Sequence, residues 1–120
     1  MPQPANIVVC ELEAGLATQL QNMLAALNDV QCDLRALRHA DVVFCGAEPQ
    51  ALHRVLRAIE KTHRAVPVVV VSRKADVSAW LDALEAGAAD YLSAPLEARQ
   101  LDWVLQSQLS ARQYEPQQVH

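Results

Sequence analysis

The stretch from Val66 to Ser72, VPVVVVS, limits what this chain can fold into more than any other. Five of its seven residues are valine, and they fall at both odd and even positions. A strand with one wet face alternates apolar and polar residues, whereas an unbroken β-branched run belongs to a strand covered on both faces. Such strands sit in parallel sheets, whose neighbours are joined by helical crossovers. Pro67 is tolerable near the start of the strand. Three further runs have the same character: NIVVC from Asn6, DVVFC from Asp41 and the short DYLS from Asp90. VQC from Val30 is a weak second strand.

Between these runs the apolar period changes to that of a helix. Leu16, Leu20, Met23, Leu24 and Leu27 predict a helix from Ala14 to Leu27, broken by Asn28-Asp29. Leu52, Val55, Leu56 and Ile59 predict another, to about Thr62. Asp76 opens a third, with Val77, Leu81 and Leu84 inward and Gly87 as its stop. Leu101, Leu105 and Leu109 mark the last. Only about nine residues separate the second strand from the third, close to the minimum for a crossover. There Asp33 can cap only a short LRALRH helix. The expectation is an α/β chain of five βα units, with a five-stranded parallel sheet and a shortened or missing second helix.

A length of 120 residues, just over half of them apolar, suits one domain with one core. We expect that domain over 1–112, with the polar tail 113–120 as the start of a linker to an output domain. The net charge of −4, with both signs dispersed, argues against direct nucleic-acid binding. No apolar run is long enough for a membrane span, and MPQPAN lacks a signal-peptide pattern, so a cytoplasmic location is expected. Cys10, Cys32 and Cys45 match no zinc or CxxC spacing and read as small buried thiols. His39, His53, His63 and His120 have no metal-ligand spacing. No nucleophile elbow or glycine-rich phosphate loop is present. Neither a metal nor another cofactor is expected.

From Val66 to Leu101, VPVVVVSRKADVSAWLDALEAGAADYLSAPLEARQL resembles the receiver domain of bacterial two-component response regulators, and EAGAADYL is its most specific part. The resemblance extends over nearly the whole chain and implies a flavodoxin-like, doubly wound fold. It also implies a site at the carboxyl ends of the strands. In that family an aspartate closing the third strand accepts a phosphoryl group, acidic residues after the first strand bind Mg²⁺, and a lysine precedes a proline after the fifth strand. Phosphoryl transfer needs these parts because it is largely positioning and charge neutralisation.

In this chain the acceptor position falls on Gly46 and the acidic pair on Glu11 and Leu12. The lysine position falls on Ala94, before Pro95. Ser72 keeps the hydroxyl position and Tyr91 the aromatic one, most simply as relics of the fold. Glu13 is expected to point elsewhere, Glu48 to be solvated, and Glu11 to bond loop amides or water. The resemblance is therefore to a degenerate form, a pseudo-receiver, with no catalytic residue.

The function this implies is regulatory and not enzymatic: a phosphorylation-independent module making protein contacts in signal transduction or transcription control. Its partner would be another protein or an output domain in the same chain. In the family the fourth helix, fifth strand and fifth helix form the usual contact face. Here that face would carry Trp80 and Trp103, with Asp82, Asp90, Arg99 and Asp102 as a polar rim, and a two-fold homodimer is expected across it. Two alternatives stand beside this reading. One is a small-molecule sensor using the emptied pocket around Glu11, Leu12, Ser72 and Ala94. The other is a receiver that accepts phosphate on a displaced carboxylate, Glu48 or Glu11.

Overall fold

A computed structural model describes the backbone of residues 5–74 and 76–114 and the side chains up to residue 110. Five strands form one parallel sheet in the order β2-β1-β3-β4-β5. They are β1 (Asn6–Cys10), β2 (Asp29–Gln31), β3 (Val42–Gly46), β4 (Val68–Ser72) and β5 (Asp90–Ser93). Three α-helices connect strands, α1 (Ala14–Leu24), α2 (Pro49–Glu60) and α3 (Val77–Ala86), and α4 (Ala98–Tyr114) follows β5. The order and the alternation are those of the flavodoxin-like α/β fold.

Side-chain alternation divides the core in two. Val8, Cys10, Val43, Cys45, Val68 and Val70 face α2 and α3. Ile7, Val9, Val42, Phe44, Val69 and Val71 face α1 and α4. Both faces are covered, which is why β3 and β4 read as continuous apolar runs.

The short crossover is a 3₁₀ segment, Leu34–His39. The Asp33 carboxylate caps it by accepting from the Arg35 amide at 2.9 Å. Leu37 is its buried residue. Arg64, beyond α2, closes the end of this short helix: its guanidinium donates to the carbonyls of Leu37 (3.2 Å), which also accepts from the Ala40 amide, and Ala40 (3.0 Å), and to that of Arg38. Sequence reading missed this arginine, which stands 24 to 27 residues from the groups it holds.

Several expectations need correction. Helix α1 ends at Leu24, not Leu27, and Leu27 is 81% exposed because the chain turns away toward β2. Val77 and Leu81 are exposed rather than inward, and Leu84 is only half-buried. Ala83 is the buried residue of α3, and small residues let that helix lie close to its neighbours. Cys32 is exposed and accepts a hydrogen bond from Gln21 Nε2, so it is not a core thiol. Helix α4 runs to Tyr114, so it takes in the first two residues of the expected tail. The remainder of that tail, 115–120, lies outside the described residues. Asp76 does cap α3, accepting from the Ser78 amide at 3.0 Å, and Gly87 ends it at φ 121°, a conformation that favours glycine.

Candidate functional site

The carboxyl ends of β1, β3 and β4 open into a groove of about 910 Å³. Four residues picked out by the sequence meet there: Glu11, Leu12, Gly46 and Ser72. Gly46 and Ser72 end their strands, and Glu11 and Leu12 follow β1, so the parallel order brings them together. Glu13 also lines the groove, contrary to expectation, as do Glu48 and Lys74.

The third-strand position is closed from above. A Cβ on Gly46 would run into the backbone carbonyl oxygen of Glu11 and lie 3.6 Å from the Leu12 Cα. Glu11 itself adopts φ 55°, the left-handed region that non-glycine residues rarely occupy. The β1–α1 loop thus passes where an acceptor side chain would begin.

Two ion pairs hold that loop. Arg54 of α2 donates to both oxygens of Glu11, Nη2 to Oε1 at 2.7 Å and Nε to Oε2 at 3.3 Å. Arg73, just after β4, donates to Glu13 through Nε at 2.7 Å and through Nη2. Each arginine bond holds its glutamate below the usual carboxylate range. The expectation that Glu11 would bond loop amides or water is therefore corrected: its carboxylate is taken by Arg54. Glu48 is exposed at the entrance to α2, and its side chain makes no capping bond.

These residues do not fit the Mg²⁺ that the fold family implies. A hard divalent cation wants several carboxylate oxygens converging on one point. Gly46 offers none, Leu12 is apolar and packs against the core, and the Glu11 oxygens are occupied by a guanidinium.

The remaining family positions scatter. Ser72 is half-buried and its Oγ accepts from the Lys74 amide at 3.1 Å, a strand-end hydroxyl satisfying backbone. Tyr91 packs against the core and its hydroxyl donates to the Lys74 carbonyl at 2.9 Å. Both side chains thus brace one loop. Ala94 turns away from the groove to pack against the α1 and α4 side, so the sensor pocket is not bounded by it as expected. The Ala94-Pro95 peptide is cis, and Pro95 is exposed. Cys45 and Cys10 beneath the groove are buried, which pushes each thiol up to about 12 and leaves no reactive thiolate.

At the other edge, β5 is the terminal strand, flanked by α3 on one side of the sheet and α4 on the other. Trp80 is 42% and Trp103 66% exposed. Arg99 and Asp102 are exposed and Asp90 is half-buried. Asp82 turns the other way and lines the groove, because two residues along a helix is a rotation of about 200°.

No family model matches the chain, and no curated protein does. Solved structures do. NtrX from Brucella abortus superposes with a TM-score of 0.79 at 23% identity, over 94% of this chain and 28% of that one. A response regulator receiver domain protein from Clostridium thermocellum gives 0.75 at 22% identity, over 92% and 98%. The signal receiver domain of an HD domain-containing protein from Pseudomonas fluorescens Pf-5 gives 0.78 at 19% identity, over 99% and 96%. The chain spans little more than a quarter of NtrX. At these identities the likeness shows the fold: the chain has the architecture of a receiver domain.

Proposed function

We propose that this chain is a degenerate receiver, a regulatory module in signal transduction that works without accepting a phosphoryl group and without catalysing a reaction. The observation that carries this is the Glu11 carbonyl lying over Gly46. The acceptor is not merely absent; the space it needs is filled by backbone. The nearby acids are drawn to Arg54 and Arg73, and Ala94 supplies no cation to balance a phosphoryl charge. Its output is contact with another protein or with a further domain of a longer chain, through the face formed by α3, β5 and α4. That use is supported by two exposed tryptophans, since aromatic residues are enriched at the centres of interfaces. A two-fold homodimer and an unlike partner are the two candidate occupants.

Incubation with acetyl phosphate and Mg²⁺, followed by intact-mass measurement, tests the reading. The mass should not change. A gain of one phosphoryl group, sensitive to hydroxylamine and mapped to Glu48 or Glu11, would replace it with a receiver using a displaced carboxylate.

One observation favours a second reading, a small-molecule sensor. The groove has the volume of an ordinary ligand site, about 300–1,000 Å³. Apolar residues such as Leu12, Leu16, Leu52 and Val71 line it beside Ser72 and Lys74. Saturation-transfer NMR against a metabolite mixture, with Ala47→Trp, at an exposed position in the groove lining, as control, would identify such a ligand.

A further inference from the structure

We infer that the α3–β5–α4 face takes a basic amphipathic helix from an unlike partner, and not a second copy of itself. The inference rests on the protein-contact reading above and names the chemistry of the contact.

Helix α3 is packed inside out. Its buried position is Ala83, while Val77 (65%), Leu81 (48%) and Trp80 face solvent. Val77 and Leu81 are one turn apart on one ridge, with Trp80 beside them. Trp103 adds a fourth large apolar group on α4. Of the five large hydrophobic side chains exposed among the described residues, only Leu27 lies elsewhere. Apolar groups one turn apart on a helix suit the apolar stripe of a partner helix.

Charge decides which helix. From Asp76 to Trp103 the chain has six acids and one base, Arg99, and of these acids only Asp82 turns into the groove instead. Over its full length the excess of acids is only four, so the whole surplus sits in this segment. The three ion pairs among the described residues use Asp33, Glu11 and Glu13. None uses Asp76, Glu85, Asp90, Glu97 or Asp102. Two-fold pairing of this face would set its carboxylates, with Arg99 the one base among them, against a second surface as acidic as the first, and such juxtaposition opposes association. A lysine- or arginine-rich helix with an apolar stripe satisfies both the acids and the aromatic ridge. The same field repels nucleic acid and anionic lipid.

The test uses a fluorescein-labelled helical peptide of leucine and lysine, with leucines at i, i+3, i+4 and i+7, and a leucine–glutamate counterpart. Anisotropy should show binding of the first and none of the second, weakening as salt shortens the screening length. Trp80→Ala and Trp103→Ala keep the charge and should each weaken binding roughly tenfold or more. Glu97→Lys with Asp102→Lys should weaken it too, whereas Asp29→Asn with Glu60→Gln should not. Independently of any variant, the tryptophan emission of the unmodified chain should shift to the blue on saturation. Undiminished binding by both tryptophan variants would reduce the contact to general charge attraction and overturn the inference. So would absence of binding. A wild-type chain that sediments as a dimer and becomes monomeric on Trp80→Ala would give the face to a second copy. A phosphoryl gain in the mass experiment would leave these results untouched, so failure of the two readings is separable.

Discussion

At Gly46 one missing Cβ decides the chemistry of the site. Any side chain there collides with the Glu11 carbonyl, so Gly46→Ala should lose about 1–3 kcal/mol, the usual effect of overpacking a rigid environment. A lowered urea midpoint at constant slope would show it; an unchanged midpoint would mean that the loop yields freely. Gly46→Asp meets the same obstacle. The sequence alone suggests that Leu12→Asp, Gly46→Asp and Ala94→Lys together would do better than Gly46→Asp, but the structure adds that the β1–α1 loop must first move. Glu11 gives a pH signature. Its carboxyl is held below its ordinary value of 4.5 by the Arg54 hydrogen bond. Its contribution is therefore complete above that value and is lost as pH falls through the lowered folded value. The stability difference between wild type and Arg54→Met should shrink on acidification; a constant difference would assign Arg54 a packing role instead. The thiols separate as well. In the native protein only Cys32 should react with iodoacetamide, Cys10 and Cys45 being buried.

The elements show where periodicity informs and where it misleads. β3 and β4 were legible because burial on both faces leaves a run without alternation. α1 and α2 were legible because their leucines and valines do point inward, as Leu16, Leu20, Leu52 and Val55 show. α3 is legible as a helix, but its apolar spacing points to the wrong inner face. Val77, Leu81 and Leu84 have helical spacing, and so do Ala79 and Ala83; spacing alone does not say which stripe is covered. Substitutions on the two stripes should therefore differ. Ala83→Leu should cost about 1–3 kcal/mol by overpacking, while Val77→Lys and Leu81→Glu should stay within about 0.5 kcal/mol of wild type. Thermal or urea unfolding decides it. The reverse ranking would return α3 to the orientation its sequence suggests.

For the molecule as a whole, the order β2-β1-β3-β4-β5 turns local strand ends into one groove. The fold and the positions at the strand ends were readable from short segments that each contain their own signal. The arginines were not. Arg54 meets Glu11 across 43 residues and Arg73 meets Glu13 across 60. An exposed arginine on a helix or loop carries no mark of the carboxylate it will find until the sheet order is known. The positive φ of Glu11 had no sequence signal either, since glycine is the usual marker for that conformation. These unseen contacts turn an empty site into a closed one: the loop is pinned on both sides and its carbonyl lies over the third strand. The most direct test is a ¹⁵N-¹H correlation spectrum recorded with Mg²⁺ and beryllofluoride, a mimic of the bound phosphoryl group. The account predicts unshifted amides at Gly46, Ser72 and Tyr91 at saturating concentrations. A second, slowly exchanging set of peaks at those three residues would show that the site opens and is occupied, and would contradict it.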